Sequence, residues 1–196
     1  METTSTTLRW ALLLMASYPE IQEKVRAEIF EQIGRERLPQ YADRSLLPFT
    51  EAVLCEVHRF VSIVPSGIAH SAERETRVRG YTIPKDSMII VNLYAVHRQA
   101  NLWPDPHHFN PEVNFVKRSN GKVELKNTEF LVPFGVGKRQ CLGEPLARQE
   151  QFLFFVGLLQ RFRVSPVKEL TLPPVSKCVS GVTRQPLPHE LHFSLV

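Results

Sequence analysis

The sequence predicts a mainly α-helical fold with a small antiparallel β region, which places the chain in the α+β class. Apolar residues recur at helical spacing in the first third of the chain and again after residue 141. Between these regions, the stretch from Ile68 to Val91 consists of short β-type runs separated by turn residues. With 196 residues, of which 43% are hydrophobic, the chain is long enough for one domain with a substantial core.

Two helices are expected at the start of the chain. The first is predicted over residues 2–16, followed by Ser17 as the N-cap of the second helix and Pro19 in its first turn. Gly34 is expected to end the second helix. One face of this helix carries a β-branched apolar residue at every fourth position: Ile21, Val25, Ile29 and Ile33.

The first predicted helix opens with five hydroxyl side chains, Thr3 to Thr7. Serine and threonine are poor helix formers because their hydroxyl groups compete for backbone hydrogen bonds. Such a run should fray at a free chain end. We therefore expect a longer helix whose start lies before the present chain.

A third helix is predicted through "EAVLCEVHRF", between Pro48 and Pro65. Two β-type runs follow, "RVRGYTIP" and "SMIIVNL", and the turn residues around them predict a small antiparallel sheet. The segment "QANLWPDPHHFNPEVNF" contains three prolines and little periodicity, so an ordered loop is expected there.

The last helix is predicted to follow Cys141. It is amphipathic at Leu142, Leu146 and Leu153 and then apolar on nearly all sides through "FLFFVGLL". That composition is typical of a helix buried inside a larger body. A proline-rich, strand-like tail completes the chain.

Composition excludes several classes of protein. Three cysteines, an odd number without a C-x-x-C spacing, argue against a disulfide framework and a structural zinc site and favour a reducing compartment. The adjacent His107 and His108, and the "HELH" at 189–192, lack the spacing of a zinc site. A net charge of +4 spread along the chain argues against nucleic acid as a partner. No signal peptide opens the chain, and its apolar runs are too short to span a bilayer.

The stretch "PFGVGKRQCLGEPLAR", residues 133–148, places one cysteine at the predicted start of the last helix. The helix dipole and unpaired backbone N–H groups stabilise a thiolate at that position. Glycines at 135 and 137 allow a positive φ and a close approach to a flat object. Without further evidence, a single cysteine before a helix can also be a small buried apolar residue that binds no ligand.

The pattern F-x-x-G-x-x-x-C-x-G, formed by Phe134, Gly137, Cys141 and Gly143, resembles the haem-binding loop of the cytochrome P450 family. This resemblance implies that residues 1–196 form a single partial domain, the C-terminal portion of the cytochrome P450 fold. It also implies haem b as cofactor, with the thiolate of Cys141 as the axial ligand of the iron.

Two further segments resemble the same family. Glu56 and Arg59 match its E-x-x-R helix, since residues three apart share a helix face. The resemblance implies a buried ion pair that ties this helix to the loop before the haem site. "FNPEVNF", residues 109–115, resembles the P-E-R-F element, but Val113 is inserted and Asn114 takes the position of the third partner.

The start of the chain resembles the distal haem-pocket helix of the animal microsomal, drug-metabolising branch. That resemblance implies that Glu2 and Thr3 assist proton delivery, although Thr3 is also compatible with an ordinary helix hydroxyl. His70 and Arg139 take positions that imply contacts with the haem propionates. Residues at the positions that line the substrate pocket are Val64, Pro65, Ser66, Gly67, Ser180, Gly181 and Val182.

The activity implied by the resemblance is insertion of one oxygen atom from dioxygen into a small apolar organic substrate, of the xenobiotic, fatty acid or steroid type. An NADPH-dependent flavoprotein reductase is the implied electron donor, and basic residues around the cysteine loop could steer it. The implied location is the cytosolic face of the endoplasmic reticulum membrane, with the cytoplasm as the alternative. Two rival hypotheses remain: a non-catalytic haem-binding fragment, and an interaction module that competes for the reductase.

Overall fold

The helices pack around one core. The structure is a computed structural model that describes residues 2–120, 122–168 and 170–196. Its helices are α1 (Glu2–Ser17), α2 (Pro19–Gln32), α3 (Pro48–Val61), α4 (Leu93–Val96), α5 (Pro111–Phe115) and α6 (Glu144–Arg161). Helix α1 packs against α3 and α6, and α2 packs against α6. In the described residues, no helix is both long and apolar enough to cross a membrane.

All β structure described is antiparallel and two-stranded. The strands are β1 (His70–Ser71), β2 (Thr76–Val78), β3 (Tyr81–Ile83), β4 (Met88–Ile89), β5 (Val116–Ser119), β6 (Lys122–Leu125), β7 (Phe162–Pro166), β8 (Cys178–Ser180), β9 (Arg184–Pro186) and β10 (Leu191–Leu195). The pairs are β1 with β4, β2 with β3, β5 with β6, β7 with β10, and β8 with β9. The α+β class predicted from the sequence is therefore confirmed.

The β region between residues 68 and 91 differs from the single sheet predicted there. It forms two separate ladders, β1 with β4 and β2 with β3. Gly80 turns the β2–β3 hairpin with a φ of +88°. The strands are only two or three residues long, shorter than is usual in globular proteins.

The predicted capping role of Ser17 is wrong. Ser17 is the last residue of α1, and its hydroxyl donates to the Leu13 carbonyl at 2.8 Å. Tyr18 takes the N-cap position of α2 without a side-chain hydrogen bond, and Pro19 begins the helix. A serine at the end of a helix satisfies its hydroxyl most easily on the carbonyl one turn back.

The threonine-rich start of α1 is helical from Glu2 onward. Ser5 donates to the Glu2 carbonyl and Thr7 to the Thr3 carbonyl, each at 2.9 Å. Thr6 and Thr7 are also buried against the core. Packing therefore outweighs the low helix propensity of these side chains.

The last helix begins at Glu144, two residues later than predicted, because Gly143 takes the N-cap position. Phe152, Phe155 and other residues on one side of α6 are buried in the core, whereas Phe154 on the other side is 59% exposed. The helix is thus not buried on all sides. The proline-rich segment after Gln99 also differs from a plain loop, since it contains α5.

Candidate cofactor site

The cysteine loop is a sequence of tight turns that ends in an exposed thiol. The Gly135 N–H donates to the Val132 carbonyl at 3.1 Å, and the Cys141 N–H donates to the Phe134 carbonyl at 2.9 Å. Gly135 and Gly137 both have a φ of +76°, a conformation that side chains disfavour. Cys141 is exposed and not part of a disulfide. The loop therefore presents its sulfur at the surface, next to the start of α6.

The surroundings of this thiol fit a flat, apolar group that accepts a sulfur ligand. Val136 is 71% exposed and Leu142 is 99% exposed, so apolar side chains flank the sulfur without cover. A Cβ added at Gly135 or Gly137 would meet no described atom within 4 Å. The loop thus leaves open space beside a soft ligand, as an iron porphyrin requires.

Two helices hold the ring of Phe134 in the loop. His58 of α3 contacts the ring edge, with ring centroids 5.4 Å apart, and the guanidinium of Arg148 lies 5.0 Å from the ring centroid. His58 Nε2 lies 2.8 Å from Gln151 Oε1, while Arg148 pairs with Glu144 at 2.7 Å. Burial lowers the pKa of His58 to about 4, so its imidazole is neutral at physiological pH.

The structure brings the predicted residues Glu56, Arg59 and Asn114 together in a fully buried cluster. Arg59 donates twice to the Glu56 carboxylate, from Nε and from Nη2, at 2.7 Å each. Asn114 Nδ2 donates to Glu56 Oε1 at 3.1 Å, and the Asn110 N–H donates to the same oxygen at 2.8 Å. Burial raises the pKa of Glu56, while these donors act in the opposite direction.

Arg59 also holds the segments that follow in the sequence. Its Nη1 donates to the carbonyls of His97 at 2.9 Å and Pro106 at 2.8 Å, and its Nη2 donates to the His108 carbonyl at 2.9 Å. Its guanidinium lies 5.6 Å from the centroid of Trp103. One arginine therefore fixes two stretches of irregular backbone that have few regular hydrogen bonds of their own.

His70 and Arg139 are both exposed, on β1 and on the turn before Cys141. His70 pairs through its backbone with Ile89. Within the part of the chain that the structure describes, neither side chain has a hydrogen-bond partner. Both are free to meet an external carboxylate.

The predicted proton-delivery residues lie beside the C-terminal tail. Glu2 Oε1 accepts long hydrogen bonds from Thr183 Oγ1 at 3.5 Å and Gln185 Nε2 at 3.4 Å. The Thr3 carbonyl accepts from the Thr7 hydroxyl. Both Glu2 and Thr3 are exposed.

The two predicted pocket stretches also meet. The Arg184 N–H donates to the Ile63 carbonyl at 2.8 Å, and Trp10 Nε1 donates to the Arg184 carbonyl at 2.9 Å. The Tyr94 N–H donates to the Pro65 carbonyl at 2.9 Å. These bonds join α1 and α4 to the segment after α3 and to the tail. The segment after α3 and the tail bear the predicted pocket residues Val64, Pro65, Ser66, Gly67, Ser180, Gly181 and Val182.

Two buried histidines at this site, His58 and His97, were not predicted to take part in it. The sequence offered one signal for His58: it is a polar residue in an apolar helix, and a buried polar side chain needs a hydrogen-bond partner. His97 had none, since it follows α4, a helix of four residues that is too short to show periodicity. Burial lowers the pKa of His97 to about 3.

Comparison with known proteins agrees with the resemblance found in the sequence. The family model described as Cytochrome P450 matches residues 1–193. Human cytochrome P450 2J2 is 46% identical over 97% of this chain and 36% of its own length. Cytochrome P450 2D16 of Cavia porcellus is 45% identical, and cytochrome P450 2H1 of Gallus gallus is 40% identical, each over 97% of this chain. The chain covers 37% and 38% of those two relatives.

Proposed function

The chain belongs to the cytochrome P450 family, and we propose that it forms the haem-thiolate part of a monooxygenase, with Cys141 as the axial ligand of haem b. The observation that carries this proposal is the uncovered sulfur of Cys141 between glycine turns and exposed apolar side chains. A bound haem would supply the activation of dioxygen, one atom of which is inserted into an organic substrate.

The chain's own residues hold and adjust the ligand. The Cys141 sulfur would donate electron density to the iron of a bound haem, and the Phe134 carbonyl closes the turn that carries this residue. The imidazole of His58 and the guanidinium of Arg148 pack against the Phe134 ring and hold the loop in place. His70 and Arg139 each present an unoccupied donor to a propionate carboxylate.

Glu2 would take up and release a proton at Oε1, assisted by the hydroxyl of Thr3. Thr183 and Gln185 lie within reach of that carboxylate oxygen and would orient it. Val64, Val182 and their neighbours offer apolar walls with few charges, which suit a small apolar organic substrate.

The electron donor in this proposal is an NADPH-dependent flavoprotein reductase with an acidic docking face. Exposed basic side chains lie on both the cysteine loop and the β5–β6 hairpin: Lys138, Arg139, Lys117, Arg118 and Lys122. Reduction should become slower as ionic strength rises, since salt screens these charges. The proposed location is the cytosolic face of the endoplasmic reticulum membrane.

Titration of the purified chain with haem tests the assignment of Cys141. Reduction under carbon monoxide should produce the red-shifted Soret band of thiolate ligation, and Cys141→Ser should abolish that band. Cys178→Ser is the matched control, because Cys178 is a second free cysteine that is partly accessible. A thiolate-type spectrum that survives Cys141→Ser would refute the proposal. Product formation with reductase and NADPH then tests the monooxygenase activity itself.

A further inference from the structure

His97 connects three separate segments from a fully buried position. Its Nδ1 lies 2.9 Å from the hydroxyl of Ser62, at the C-cap of α3. Its Nε2 lies 3.1 Å from the backbone N–H of Val132, which opens the cysteine loop. Its own carbonyl accepts from Arg59. The ring edge packs on Trp103, with centroids 6.4 Å apart.

These contacts determine which nitrogen of His97 carries the proton. The Val132 N–H can only donate, so Nε2 must be the acceptor. Nδ1 therefore carries the hydrogen and donates to Ser62 Oγ, and the Ser62 hydroxyl donates onward to the Arg59 carbonyl at 2.8 Å. Every polar atom of the ring is satisfied in the neutral form.

From Val132, backbone hydrogen bonds within the loop extend to the backbone of Cys141. The Val132 carbonyl accepts from the Gly135 N–H, and the Phe134 carbonyl accepts from the Cys141 N–H. The contacts that the structure describes for Arg59 go to Glu56 and to backbone carbonyls of residues 97–108, not to this loop. His97 thus directly links the buried ion pair to the entry of the cysteine loop.

We propose that His97 is a positioning residue for Cys141. By accepting the hydrogen bond of the Val132 N–H, it holds the start of the cysteine loop in a fixed position relative to the Glu56–Arg59 cluster. This inference rests on the proposed function in so far as the loop holds a haem ligand. A histidine suits the task because its rigid ring spans the two partners with a donor on one side and an acceptor on the other.

The test compares three variants in the full chain. His97→Phe keeps a ring against Trp103 but removes the acceptor of the Val132 N–H. His97→Gln keeps an acceptor oxygen at nearly the same reach. The control Gln22→Leu removes the acceptor of another buried backbone donor, the Val164 N–H at 2.7 Å, in strand β7.

Two readouts separate positioning from mere destabilisation. In His97→Phe, hydrogen exchange of the Val132 and Cys141 amides should be about tenfold faster than in wild type, beyond any change in exchange of the core helices. In His97→Gln, exchange of these two amides should be close to that of wild type. In the haem-loaded chain, His97→Phe should lower the fraction of the ferrous carbon monoxide complex with thiolate ligation. Gln22→Leu should affect neither quantity beyond its effect on global stability.

Equal loop exchange in His97→Phe and wild type, after correction for global stability, would overturn the inference. If His97→Phe does not fold, His97→Leu takes its place, because it also removes the acceptor of the Val132 N–H. Loop exchange faster than in Gln22→Leu would then support the inference, and loop exchange equal to that in Gln22→Leu would overturn it. A wild-type chain that binds no haem would refute the proposed function alone, because the amide exchange still decides the role of His97.

Discussion

Replacement of Arg59 by lysine should destabilise the fold strongly although it keeps the positive charge. Arg59 donates to five oxygens within 2.9 Å: two on Glu56 and one on His97, which are buried, and one each on Pro106 and His108, which are partly buried. A lysine ammonium has only three donors on a single atom, so at least two acceptors would lose their partner. At about 1–3 kcal/mol for each unsatisfied buried group, the loss is about 2–6 kcal/mol.

Urea unfolding followed by far-ultraviolet circular dichroism measures this loss. Arg163→Lys is the matched control, since Arg163 pairs with Glu23 at 3.0 Å where both side chains are about half exposed. That pair should be worth at most about 1 kcal/mol. If Arg59→Lys and Arg163→Lys shift the free energy of unfolding by the same small amount, the assignment of Arg59 as the main anchor of residues 97–108 is wrong.

Three further predictions can be checked by the same unfolding measurement. Acidification from pH 7 to pH 4.5 should lower the free energy of unfolding by about 5 kcal/mol through His58 and His97. In the unfolded chain both histidines bind protons near pH 6.5, whereas burial in the folded chain lowers their pKa values to about 4 and about 3. His58→Gln should remove about half of this loss. Gly157→Ala in α6 should raise the free energy of unfolding by about 0.5–1 kcal/mol. Gly34→Ala should lower it by about 1 kcal/mol, because the φ of Gly34 is +80°, and a stabilising Gly34→Ala would contradict this. Asn114→Leu should lower the free energy of unfolding by about 2–4 kcal/mol, since one buried and two partly buried hydrogen bonds lose a partner. An unchanged unfolding midpoint would show that the cluster does not need the Asn114 side chain.

The cysteine loop could be recognised from the sequence because its determinants lie close together. Phe134, Gly137, Cys141 and Gly143 fall within ten consecutive positions. Their roles depend on backbone torsions and on the start of one helix, which are local properties. The helices α1, α2 and α3 were predicted for the same reason, since periodicity and proline positions act over a few residues.

Local signals were insufficient where two possibilities had similar local energies. Ser17 was compatible with capping α2 or with bonding back into α1, and the second occurs. The segment of Asn114 departs from the family pattern, so its position in the sequence did not reveal whether its side chain reaches Glu56. The structure places it at 3.1 Å from that carboxylate.

By itself the sequence determined the family, the order of the helices and the position of the thiol, because these depend on neighbours along the chain. Only the tertiary structure decided which groups are buried and which atoms share each proton. His97 receives its partners from residues 35 positions away on either side, Ser62 and Val132. Its pKa and tautomer follow from desolvation and donors that exist only once those distant segments have packed together.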